Sequence, residues 1–138
     1  MKKPHLVLTG SIIMLTASAQ YSVEIKTEKL LKTDTTEVGQ HINYPDINNE
    51  EVTILKVTIP PGKSTGWHRH LSPVFAYVLK GTLTVQQEGG KKIRFEKNAA
   101  IAESFDRYHI GINEGKEPVI LIAIYIGEKD KPLAIKKE

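Results

Sequence analysis

The chain contains no cysteine, one tryptophan, three phenylalanines and five tyrosines among its 138 residues. Without a thiol there is no disulfide framework, no thiolate metal site, no cysteine nucleophile and no lipid-attachment point. Long apolar runs are missing too. The longest, residues 6–15, is broken by Thr9, Gly10 and Ser11 and falls well short of the roughly 20 residues that span a bilayer. Nor is there an excess of one charge: 19 basic side chains stand against 16 acidic ones, and two of the lysines lie in the first three residues. The lysines are dispersed, and the one dense group, Lys131, Lys136 and Lys137, sits in a tail that also carries acids. That composition indicates no nucleic-acid partner.

What is present begins with an address label. Lys2 and Lys3 precede the short apolar run, and Ala17-Ser18-Ala19 supplies a small-x-small cleavage signal. Together they predict a signal peptide over residues 1–19, cleaved before Gln20. The mature protein, residues 20–138, is then expected to be secreted or periplasmic and free of the membrane. Its length suits one domain with one hydrophobic core.

Along the mature chain, short apolar stretches alternate with polar residues and turn formers, the pattern of strands. Residues 52–59 are rich in β-branched side chains, with Leu55, Val57 and Ile59 on one face, and Pro60-Pro61-Gly62 ends them. Residues 74–79 turn at Lys80-Gly81 and continue as 82–87, where Leu83 and Val85 share a face. Gly89-Gly90 reads as a hairpin loop. Residues 93–95 and 99–102 are further short strands, and 119–126 is a nearly continuous apolar run expected to be buried on both faces. Only 28–32 has the pattern of a helical turn. Six or more closely spaced strands with almost no helix predict an all-β sandwich or barrel.

The chemistry gathers at Gly62-Lys63-Ser64-Thr65-Gly66-Trp67-His68-Arg69-His70. On a strand, side chains two apart share a face, so both imidazoles can reach one ion. Taken alone, the pair also reads as two partly exposed polar residues, or as one satisfied core histidine beside an exposed one. Trp67 and Arg69 alternate with them and are expected on the opposite face.

The surroundings of the pair resemble the first motif of the cupin family: glycine, five residues, His-x-His, three or four residues, glutamate, six residues, glycine. Gly62, His68, His70 and Gly81 match it. The second motif (glycine, five residues, proline, one, glycine, two, histidine, three, asparagine) is met at His109 and Asn113, with Asn98, Ser104 and Asp106 replacing glycine, proline and glycine. Asn and Asp are the non-glycine residues most tolerant of positive φ, so these replacements are mild. The resemblance covers residues 52–126 and implies a single-domain jelly-roll β-barrel in which His68, His70 and His109 bind a divalent transition metal such as iron, zinc, nickel, copper or manganese.

One departure bears on the chemistry. At the glutamate position stands Val74, or Phe75 with the longer spacing, and neither binds metal. Glu103 is the nearest acid able to act as a fourth ligand; alternatively it lies at the rim, facing water or pairing with Arg107. His41 reads as an ordinary polar position, while Phe75, Tyr77, Phe105 and Tyr108 are candidates for the barrel mouth or for plain packing. A neutral three-histidine face resembles cupins with dioxygenase-like activity on small organic molecules, and the resemblance also implies a homodimer through strand edges. A non-catalytic module holding a metal or small ligand is the alternative.

Overall fold

A computed structural model of the chain describes residues 24–44, 46 and 48–138. The signal peptide expected at 1–19 lies outside the described residues. Nine strands follow in order: β1 (Glu50–Ile59), β2 (His68–Arg69), β3 (Val74–Lys80), β4 (Thr82–Gln87), β5 (Lys92–Glu96), β6 (Ala100–Glu103), β7 (His109–Ile112), β8 (Val119–Glu128) and β9 (Ile135–Lys136). They form two antiparallel sheets, one ordered β1-β8-β3-β6 and the other β5-β4-β7-β2-β9. This is the two-sheet all-β architecture that the strand pattern predicts and the jelly roll that the resemblance implies. Residues 28–32 form no helical turn. Five residues of helical pattern provide too few hydrogen bonds to offset the cost of nucleation.

The core lies between the sheets. Ile59 from β1, Ala76 and Val78 from β3, Leu83 and Val85 from β4, Ile101 from β6, and Val119, Leu121 and Ala123 from β8 are all buried and mutually packed. Each strand contributes alternate residues, as a two-layer barrel requires. The expectation that residues 119–126 are buried on both faces is not met: Ile120, Ile122, Ile124 and Ile126 point outward and are half-buried. The outer face of β8 is apolar as well, and Leu30 and Leu31 border the same outer cavity as Phe75, Tyr77 and Ile124. Val52 and Ile54 of the neighbouring β1 extend that apolar face, at 61% and 62% exposed.

Turns are set where the backbone needs positive φ. Gly62 (φ 70°) ends the first strand region, and Gly81 (φ 77°) joins β3 to β4. Asn98 and Asp106 have φ of 73° and 55°. The two replacements thus hold the left-handed geometry that glycine would otherwise supply, at the positions read from the sequence. Asn113 fastens the end of β7. Its side-chain amide donates to Ile59 O at 2.8 Å and Glu117 O at 2.7 Å, while its Oδ1 accepts from Gly115 N at 2.9 Å.

Candidate metal centre

At one end of the barrel three imidazoles converge. His68 on β2 is the cross-strand partner of His109 on β7, and their ring centroids lie 4.5 Å apart. His70 falls just beyond the two-residue strand, with its ring 4.9 Å from His68 and 5.1 Å from His109. One ring nitrogen from each lies within 4.8 Å of those of the others. His70 and His109 are both 2% exposed.

The backbone fixes which nitrogen points inward. Nδ1 of His68 lies 2.8 Å from Gly66 O, Nδ1 of His70 is 2.8 Å from Leu133 O, and Nδ1 of His109 is 3.1 Å from Arg107 O. A carbonyl can only accept, so each Nδ1 carries the proton and each Nε2 presents its lone pair to the centre. The chain from 129 to 136 contributes to this arrangement by folding back across the barrel end, pairing β9 with β2 and placing the Leu133 carbonyl against His70.

Glu103 joins the group. It lies at the end of β6, on the same face as the core residue Ile101, and its side chain is 12% exposed. Oε2 stands 3.5 Å from Nε2 of His70 and 3.5 Å from Nε2 of His109. The rim alternative is therefore corrected: β6 continues through Glu103, the period-two alternation turns the carboxylate inward, and its near neighbours are His70 and His109 in place of Arg107. At 3.5 Å the carboxylate contacts are long for charge-assisted hydrogen bonds, and His109 Nε2 is buried with no hydrogen-bond partner. Such an orphaned group costs about 1–3 kcal/mol. A buried, unpartnered lone pair beside two more imidazoles and a carboxylate is a donor set that suits a divalent transition ion.

Electrostatics reinforce the grouping. Burial acts to raise the Glu103 carboxyl, but His109 and His70 overcome it and hold the group at about 2. Burial acts to lower His109, and Glu103 overcomes it, so the net shift is upward. Burial lowers His68. In the metal-free protein the carboxylate thus stays charged and favours a proton on its neighbour, the same lone pair that a metal would need.

The other expected residues scatter. Trp67 and Arg69 are half-buried away from the triad, and His41 is exposed with its Nδ1 2.9 Å from Asp34 O. Phe75 and Tyr77 do not line the mouth. They pair with Ile124 and Ile122 on the outer sheet face, because Val74, Ala76 and Val78 take the inward phase of β3. Tyr108 lies outside, with the Arg69 guanidinium 5.9 Å and the Lys137 ammonium 5.7 Å from its ring centroid, and Phe105 is held by its backbone to Gln40.

The aromatic residue at the site is Tyr125, which the sequence reading missed. It follows Val119, Leu121 and Ala123 in the inward phase of β8, a period-two signal available in the sequence. Tyr125 lines a cavity of about 80 Å³ together with the three histidines and Glu103, and also an adjoining cavity of about 300 Å³ bounded by Leu71, Ser72, Lys131 and Leu133. Burial, and then the Glu103 charge, push its hydroxyl up to about 12, so it is a hydrogen-bond donor at neutral pH. Glu37 was also missed. Gln87, the cross-strand partner of His109, donates from Nε2 to Glu37 Oε1 at 2.9 Å and to Ser104 Oγ at 2.6 Å. Burial raises the Glu37 carboxyl.

Comparison with known proteins agrees with this architecture. Residues 55–125 match the cupin domain family. Among solved structures, a cupin domain from Bordetella pertussis is 25% identical, with 59% of this chain and 88% of that one covered at a TM-score of 0.50. A DMSP lyase from Ruegeria pomeroyi is 15% identical, with 62% and 43% covered and a TM-score of 0.55. An oxalate decarboxylase from Lactobacillus farciminis is 19% identical, with 62% and 26% covered and a TM-score of 0.53. The chain spans less than half the length of the lyase and of the decarboxylase. No curated protein matches it.

Proposed function

The chain belongs to the cupin domain family, and on that premise we propose that it is an exported, metal-dependent enzyme acting on a small organic molecule. His68, His70 and His109 would hold a divalent transition metal. The observation that carries this reading is the convergence of three imidazoles whose Nδ1 atoms are all engaged by backbone carbonyls, leaving three Nε2 lone pairs aimed at one centre.

When bound, such an ion supplies Lewis acidity and exchangeable positions for a substrate oxygen. The chain's own residues set the rest. Val57, Leu83 and Leu121 wall the small cavity and limit water. Its size admits only a few-atom group, so a larger substrate would extend past Tyr125 into the adjoining space. Tyr125, protonated at neutral pH, would donate a hydrogen bond to a substrate oxygen. The oxygenase-like reading rests on the histidine-rich donor set. A second reading, non-oxidative cleavage of a small acid, is favoured by the lyase and decarboxylase that share the fold. A non-catalytic binding module is the remaining alternative.

The test begins with metal analysis of protein recovered from its native compartment. The expected result is about one transition ion per chain, lost on His68→Ala, His70→Ala or His109→Ala with the fold retained. Background metal in the parent protein would overturn the reading. Oxygen uptake with small thiols, diketones and phenols, set against anaerobic acid cleavage, then separates the two enzyme readings. Inertness in both assays with metal retained favours the binding module. Export has its own test: mass spectrometry should find an N-terminus at Gln20, and an intact residue 1–19 segment outside the cell would reject it.

A further inference from the structure

The geometry points to Glu103 as a fourth protein ligand, supplied from β6 to the ion that the three histidines hold; this deepens the metal-centre reading and rests on it. Four observations converge. The Glu103 carboxylate is nearly enclosed in a barrel interior, and a carboxylate there is costly unless a cation or strong donor meets it. It has no lysine or arginine partner among the described residues. Its neighbours are instead Nε2 of His70 and Nε2 of His109, each at 3.5 Å. Both of those imidazoles have Nδ1 committed to a carbonyl.

The distance itself carries information. A proton shared between an imidazole and a carboxylate draws the heavy atoms to about 2.7–2.9 Å. Two ligand atoms, each about 2.1 Å from one tetrahedral ion, stand about 3.4 Å apart. Glu103 holds the second spacing to two histidines at once.

The register explains where the carboxylate comes from. Val74, which stands at the glutamate position of the first sequence motif, is the β3–β6 ladder partner of Glu103. Val74 is 1% exposed and has no donor atom. Both side chains point inward, so the Glu103 carboxylate enters the same part of the interior as Val74 from the facing strand. The set becomes three nitrogens and one oxygen, which lowers the charge of a divalent centre from +2 to +1 and suits oxygen-tolerant ions such as Mn²⁺ and Fe²⁺ better than three imidazoles alone.

The experiment uses the mature chain stripped of metal and titrated with Zn²⁺, Mn²⁺ and Co²⁺ against a chromophoric chelator, with Co²⁺ absorption reporting the ligand field. Glu103→Gln should weaken binding by at least the roughly 10–100-fold that is lost when a partner of a metal ligand is removed, and should alter the Co²⁺ spectrum while circular dichroism stays that of a β-protein. The exchange of position, Val74→Glu with Glu103→Val, should restore most of the lost affinity. Glu103→Asp, shorter by one methylene, should fall between, and it serves as the test where Glu103→Gln fails to fold. Unchanged affinity and an unchanged spectrum in Glu103→Gln, with the histidine variants still losing metal, would overturn the ligand assignment and leave the triad intact. Metal retained in the histidine variants would instead remove the centre itself.

Discussion

The ring of Tyr125 meets the His70 imidazole edge-on, with centroids 5.5 Å apart and planes at 72°. One side of the tyrosine therefore bounds the metal centre and the other bounds the larger cavity. Buried and beside Glu103, its hydroxyl is pushed up to about 12. NMR of chains carrying ¹³C-tyrosine should show Tyr125 still protonated well above the ordinary tyrosine value of about 10. Tyr125→Phe should remove that signal, leave metal content unchanged and slow turnover by about 100-fold or more, the usual cost of losing a positioned hydrogen-bond donor. Equal turnover would take Tyr125 out of the chemistry.

Gly81 and Gly62 both have positive φ, but their surroundings differ. A Cβ at Gly81 would come within 2.9 Å of the Pro118 carbonyl oxygen and 3.1 Å of the Val119 side chain, whereas nothing lies within 4 Å at Gly62. Gly62→Ala should cost only the backbone strain, about 1–2 kcal/mol. Gly81→Ala adds a clash with backbone that cannot rotate away, so its urea midpoint should fall clearly further. Equal losses would show that the β3–β4 turn relaxes.

The parts of this protein that could be read from its sequence are those governed by strict periodicity. Alternation with turn residues announced the strands, and the motif resemblance placed Asn98 and Asp106 at glycine positions, where both take positive φ. That His68 and His109 share a site was implied by the resemblance of two separate motifs, and the strand pairing bears out their proximity. Legibility failed where both phases of a strand are apolar. In β3, Phe75 and Tyr77 outweigh Val74, Ala76 and Val78, yet the smaller residues face the core. In β8 the four outward isoleucines concealed the inward phase that ends at Tyr125. Glu37 lies in a segment without regular periodicity, held by a long-range bond from its amide to Ala102 O at 2.9 Å. No local pattern encodes such a contact.

The family resemblance implies a homodimer through strand edges, and the outer face of the β1-β8-β3-β6 sheet gives that expectation a test. Among the described residues β1 is the terminal strand of its sheet, and Val52 and Ile54 on it continue the row of Ile122, Ile124 and Ile126. A second copy covering this face would bury those side chains at about 25 cal/mol per Å² of apolar area. Light scattering should give twice the chain mass, and Ile54→Lys should shift it toward the monomer without changing metal content. A monomer at high micromolar concentration would reject the dimer.

Acid should weaken the metal-free protein through Glu103 in a defined window. Its carboxyl titrates at about 2 when folded, against an ordinary value of 4.5. A depressed acid contributes stability that is fully present above the unfolded value and disappears as pH falls from about 5 toward 2. The shift corresponds to something on the order of 3 kcal/mol. His109 has the opposite sign: its raised value contributes below the ordinary 6.5 and is lost as pH climbs through the folded value. His68, lowered by burial, opposes it by favouring the higher pH. The stability gap between the parent and Glu103→Gln, measured by urea unfolding of metal-free protein, should therefore be widest near pH 5–6 and shrink toward zero as pH approaches 2. Metal affinity should rise with pH through the range where His109 loses its proton, since ion and proton compete for Nε2. A gap that stays constant down to pH 2 would mean that Glu103 has no special relation to its histidines in the folded state.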